Sequence, residues 1–201
     1  MNNNYNNYKQ ARDAAWHILI DCKIDRLPVH VGTICKHYGY KLYAYSRNTA
    51  LIEHVGLTEH ASRTDGFTVC AGGTYYIFYN DRNTTIQRQR FTVAHEIGHI
   101  QLQHIGDAQY TRINREPAPH DDPAETQANQ FAARLLAPAC VLHELHALQP
   151  DQIAKLCGIS MTAAAFRAER IKILEDRNRF YLSPLERAVR DQFRQFIDHP
   201  Y

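Results

Sequence analysis

Two β-type runs, Phe67-Thr-Val-Cys-Ala71 and Thr74-Tyr-Tyr-Ile-Phe-Tyr79, flank Gly72-Gly73 and constrain this chain more than any other feature. Both are rich in β-branched and aromatic residues, and such runs around a Gly-Gly pair read as a hairpin. Lys41 to Tyr45 alternates enough to add one more strand. Almost everywhere else the apolar residues recur at helical spacing. The expectation is therefore a mostly helical α+β fold with a small sheet of about three strands and a helical C-terminal part.

The helices are placed by their apolar positions and their stop signals. Ala11, Ala14, Ala15, Ile18 and Leu19 mark a helix over 9–21, broken by Leu27-Pro28. A second runs from about His30 to His37 and stops at Gly39, and a short one fits Thr49 to Leu57. Thr84 to about His104 is a long helix burying Ile86, Phe91, Val93, Ala94, Ile97 and Ile100, followed by a loop over 105–121. Asp122-Pro-Ala-Glu125 starts the next helix, which carries Ala128, Phe131, Ala132, Leu135 and Leu136 until Pro138 closes it. Helices over 139–148, 151–157, 161–175 and 184–198 complete the chain, the last opened by a capping box at Ser183-Pro-Leu-Glu186. The Asn-rich residues 1–8 have no face to bury and read as a disordered tail. The division expected is one α+β domain over 9–148 and a helical region over 149–201.

Charge and cysteine usage remove several classes of function. With 23 Lys and Arg against 21 Asp and Glu, a basic nucleic-acid wrapper is excluded. The most apolar stretch, Phe131 to Leu142, is too short for a membrane span and contains Arg134. The first ten residues have no apolar core, so they do not read as a secretory signal. Five scattered cysteines without a C-x-x-C pair suit a reduced, cytoplasmic setting.

Twelve histidines remain to be explained, and two are placed to act together. In His95-Glu96-Ile97-Gly98-His99 the imidazoles stand one turn apart on a single helix face and can grip one metal ion, with zinc preferred. Glu96 is then positioned to take a proton from water that the metal acidifies. Chance yields about 0.03 such matches in a chain of this composition, and here the match lies in a helix with apolar neighbours at core spacing. Gly98 costs ~1 kcal/mol in mid-helix, which points to a close contact. A third ligand is needed. Ile105 stands where a metzincin would need histidine, so that class is excluded. Glu125, at the start of the next helix, is the better candidate; its structural alternative is the N3 partner of the Asp122 cap. Asn129, one turn on, could hydrogen-bond a ligand. His120, Asp121 and Asp122 lie near this site in sequence and read as solvated or capping residues.

Arg90-Phe-Thr-Val-Ala-His-Glu-Ile-Gly-His-Ile-Gln-Leu-Gln-His104 and Glu125-Thr-Gln-Ala-Asn-Gln-Phe-Ala-Ala-Arg-Leu-Leu-Ala-Pro138 resemble the ImmA/IrrE family of zinc metallopeptidases. Weaker likeness extends the resemblance to about residues 27–174. It implies a zincin-like, gluzincin-type site with one Zn2+ on His95, His99 and Glu125 and with Glu96 as catalytic base. Family members often read Glu-x-Glu-Ala-Asn where this chain has Glu125-Thr-Gln127-Ala-Asn129, so the second carboxylate is absent. His104 resembles a recurrent family position with a packing or ligand-supporting role. The implied activity is limited endoproteolysis of a helix-turn-helix transcriptional repressor. In zincin folds a strand near the active-site helix pairs with an extended substrate, and Tyr75, Tyr76, Ile77, Phe78 and Tyr79 are the candidate strand. Tyr75, Tyr76, Tyr110, His104 and His143 are each able to steady an oxyanion.

Residues 152–167 have the outline of a helix-turn-helix pair, turning at Gly158. Its second helix opens with Met161, Thr162 and three alanines, which suit packing better than base readout. Nine Lys and Arg against seven Asp and Glu over 151–201 give a weak field of +2. A structural cap or a surface that docks the substrate repressor fits better than direct DNA binding. His143 and His146 could chelate but read as surface histidines. The rival to a peptidase is a non-catalytic module that keeps the fold and sequesters a partner protein; an intact His-Glu-x-x-His favours the enzyme. No membrane partner is expected, and the oligomeric state is not written in the chain.

Overall fold

A computed structural model describes residues 3–82, 84–105 and 122–200. In chain order these form α1 (Asn3–Asp21), α2 (Val31–Tyr38), β1 (Lys41–Ala44), a 3-10 turn (Tyr45–Arg47), α3 (Thr49–His54), α4 (Thr58–Arg63), β2 (Gly66–Ala71) and β3 (Thr74–Tyr79). Then follow α5 (Ile86–Gln101), α6 (Pro123–Leu136), α7 (Ala139–Glu144), α8 (Pro150–Cys157), α9 (Met161–Asp176), α10 (Pro184–Gln192) and α11 (Arg194–Asp198). The expected mostly helical α+β class is the one observed. No described helix is long and apolar enough to cross a membrane.

The chain forms two compact units, one of residues 31–129 and the other of 1–30 with 130–201. In the first, the sheet order is β1-β3-β2, with β1 parallel and β2 antiparallel to the central β3. Gly72 and Gly73 turn the hairpin at φ of 56° and 73°, which only glycine adopts cheaply. Alternation then sorts the side chains. Phe67 and Phe78, stacked at 4.8 Å, join Tyr45 and Ile52 in a cluster that Tyr43, Tyr76, Val69, Leu57 and Ala61 complete. The opposite face, with Thr68 and the fully buried Ile77, meets α5.

In the second unit, α1 packs against α10, α7 against α9 and α10, and α8 against α9. Gly158, at φ 59°, makes the left-handed turn of the helix-turn-helix-like pair, and Ser160 caps α9 by accepting from Ala163 N. Two expectations fail here for physical reasons. Residues 3–8 are helical rather than a disordered tail: the Arg170 guanidinium donates to the Tyr8 hydroxyl at 2.7 and 3.1 Å, and Arg134 lies 4.0 Å over its ring. The Ser183 hydroxyl makes no cap bond; Glu186 is buried and its carboxyl accepts instead from the backbone N–H groups of Tyr181 and Leu182, just ahead of the helix.

Candidate metal centre

Helix α5 carries the site. Thr85 caps it by accepting from Arg88 N at 3.2 Å, and Val93, Ala94, Ile97 and Ile100 bury one side. This fixes His95 and His99 one turn apart, the latter 1% exposed. Glu125, in the first turn of α6, brings its carboxylate to both: Oε2 is 3.2 Å from His95 Nε2 and Oε1 3.3 Å from His99 Nε2. The two Nε2 atoms are 3.0 Å apart. Among the described residues these three are the one group able to hold a metal ion.

The hydrogen-bond pattern decides which ring atoms carry protons. His95 Nδ1 lies 3.0 Å from Asn129 Oδ1, an acceptor, so Nδ1 donates and Nε2 is left with its lone pair. His104 Nε2 lies 2.9 Å from Gln127 Oε1, so it donates there and its Nδ1 accepts. His99 Nδ1, 3.1 Å from that acceptor, therefore holds the proton, and its Nε2 is also bare. In that pairing two lone pairs and a carboxylate face one another. Such an arrangement repels unless a cation takes the centre. A tetrahedral zinc with donors at about 2.0–2.1 Å would hold them about 3.3 Å apart, close to the 3.0 Å between the two nitrogens and to the 3.2 and 3.3 Å from each nitrogen to a different carboxylate oxygen.

Glu96 follows His95 directly on α5 and is 1% exposed. The Thr68 hydroxyl, fully buried on β2, donates to its Oε2 at 2.8 Å. Gly66 makes that approach of strand to helix workable: a Cβ there would stand 2.3 Å from Thr92 Cγ2, 3.0 Å from the Phe78 carbonyl and 3.8 Å from Glu96 Cγ. Sequence reading passes over Thr68 and Gly66. Their signal is there only once hairpin parity is combined with the face of α5 that bears Glu96.

His95, His99 and Glu125 are brought together, with Asn129 against His95 and His104 against His99. The strand 75–79 is not placed as expected. It is β3, paired on both sides by β1 and β2, so its main chain has no edge to offer a substrate. Tyr76 and Phe78 also face away from α5, in the aromatic cluster. His143 belongs to the other unit, where its Nδ1 meets the Tyr181 hydroxyl at 2.9 Å and Glu175 lies 3.3 Å from Nε2. His146 lies past the end of α7, so the pair does not share a helix. The other candidates, Tyr110, His120 and Asp121, lie outside the described residues.

Residues 38–169 match the M78 peptidase family, described as the IrrE N-terminal-like domain. The match spans well over half of the chain, and the chain belongs to that family. No curated protein matches it.

Proposed function

We propose that this M78 family member is a zinc-dependent endopeptidase that makes limited cleavages in a regulatory protein. The observation that carries the reading is the convergence of two imidazole Nε2 atoms and a carboxylate, the imidazoles on a helix whose neighbouring buried glutamate is held by a threonine hydroxyl. A zinc ion on His95, His99 and Glu125 supplies a Lewis acid for the scissile carbonyl and water acidified toward pKa 7. Glu96 takes the proton from the attacking water and passes it to the departing amine. Thr68 donates to Oε2 and so restrains the rotation of the carboxylate. Asn129 and His104 keep the ligand rings turned with Nε2 inward.

The free side of β2 replaces β3 as the strand that receives an extended substrate. Ala71 and Thr74 close the two-residue hairpin as a hydrogen-bonded pair, so Val69 and Phe67 also bond to β3. The main-chain groups of Gly66, Thr68 and Cys70 therefore point away from β3, and no described strand pairs with them. A peptide added there runs beside the residue that grips Glu96.

The substrate we assign is a helix-turn-helix repressor; its support is the family resemblance. The test pairs metal analysis with cleavage. Wild type and Glu96→Gln should each hold about one zinc per chain, and Glu125→Ala should lose it. Cleavage of a co-encoded repressor, read by mass spectrometry, should vanish in Glu96→Gln. A wild type that takes up no zinc, or cleavage that survives Glu96→Gln, overturns the enzyme reading.

A further inference from the structure

Gln127 stands outside the donor triangle, yet hydrogen bonds link it to that triangle through His104. Its Oε1 accepts from His104 Nε2 at 2.9 Å, and His104 Nδ1 meets His99 Nδ1 at 3.1 Å. The two rings are 5.1 Å apart and nearly perpendicular, which aims one nitrogen at the other. Between two imidazoles facing through Nδ1, one must donate and the other accept, and nothing in the pair itself chooses. The choice is made at the far end: an amide oxygen can only accept, so the His104 proton sits on Nε2. We propose that Gln127 is a positioning residue for the metal centre, selecting through His104 the tautomer of His99 that leaves Nε2 bare for zinc.

The alternative state shows what the relay prevents. With the His104 proton on Nδ1, His99 Nδ1 becomes the acceptor and its own proton moves to Nε2, into the triangle. That proton then faces His95 Nε2 and the Glu125 carboxylate at 3.0 and 3.3 Å and holds them closed by hydrogen bonds in place of a metal. His95 needs no such relay, since Asn129 Oδ1 acts on it directly. The two ligands are thus oriented by different means: one by an adjacent amide, the other by an amide acting through a ring. Outer hydrogen-bond partners of metal-bound histidine typically change metal affinity by about 10–100-fold, which sets the size of the expected effect.

The inference rests on the metal-site reading above, and the experiment separates the two. Zinc affinity would be measured by competition with a chromophoric chelator for wild type, Gln127→Met and Gln127→Glu. Long-range nitrogen–proton NMR of the imidazoles would be recorded on the same metal-free proteins. Methionine keeps the length of glutamine and removes the acceptor; glutamate keeps the acceptor. The expected result is a metal-free wild type with His99 protonated at Nδ1, zinc binding weakened about 10-fold or more in Gln127→Met, and recovery in Gln127→Glu. Circular dichroism should stay unchanged across the three. Wild-type zinc affinity in Gln127→Met, or a His99 proton on Nε2 in the metal-free wild type, overturns the relay and leaves the metal site standing. A wild type that binds no zinc removes both.

Discussion

Glu96 and Thr68 meet from two elements that are 28 positions apart in the chain, and their bond is the most testable contact at the residue scale. Thr68→Val keeps the shape of the side chain and deletes the donor. A hydrogen bond to a charged group contributes about 1.5–3 kcal/mol, so turnover should fall roughly 10- to 100-fold while zinc content stays at the wild-type level. Thr68→Ser should restore most of the rate, because the hydroxyl returns. A steady-state assay with metal analysis on each variant checks this; equal rates for Val and wild type would remove Thr68 from the mechanism. His95 and His99 were legible because their spacing on one helix encodes a shared face, Glu96 as the residue next to His95, and Glu125 from its place at the start of the next helix. Thr68 was not, since the face of a strand that meets a given helix is set by tertiary packing. Gln127 was visible only as a departure from the family pattern; its hydrogen bond to His104 needed coordinates.

The sheet shows how one misread neighbour relation changes a functional assignment at the scale of the element. Both hairpin strands were legible from composition, and β1 was found within a residue of its observed end. Their order was not, because a parallel crossover that returns β1 to the far side of β3 leaves no local mark. Substrate pairing therefore moves to β2, and Gly66 gains a role there. Gly66→Ala puts a methyl 2.3 Å from Thr92 Cγ2 and 3.0 Å from the Phe78 carbonyl. Thr92 is buried and β-branched, so it yields little. Overpacking of this kind costs about 1–3 kcal/mol, and it should lower the thermal midpoint and the turnover together, since the strand carrying Thr68 is pushed from α5. The double variant Gly66→Ala, Thr92→Ser removes Cγ2 and should recover part of both. If the second substitution recovers nothing, the clash is not at Thr92. Helix α1 shows the same limit on local reading. Its first residues are poor helix formers, and the Tyr8–Arg170 and Tyr8–Arg134 contacts hold them in register. Tyr8→Ala removes both and should cost about 1–2 kcal/mol in a urea titration, with amide exchange accelerated through residues 3–8.

At the scale of the whole molecule, one compact unit is built from the two ends of the chain, which no linear shift in composition announces. The Gln192 amide donates to the carbonyls of Leu19 and Ile24, both at 2.7 Å, and α10 lies along α1. Closing the unit in this way buries Glu186, 5% exposed, where a helix cap had been expected. Burial pushes its carboxyl above the usual glutamate range, against the smaller opposing pull of backbone N–H groups at 181 and 182 and of Arg12 and Arg187. A carboxyl raised on folding favours the protonated fold. Its contribution to stability is thus fully present below the unfolded value, near 4.3, and is lost as pH rises through the higher folded value. Glutamine cannot ionise and so escapes that loss. Urea midpoints of wild type and Glu186→Gln should nearly coincide at pH 4 and separate as pH rises toward 8, with the variant the more stable. The gap should open in the window just above the unfolded value and then level off, because only one group changes. A constant gap across that range, or one that favours the wild type at high pH, would show that Glu186 is held ionised by its neighbours and that its burial carries no penalty.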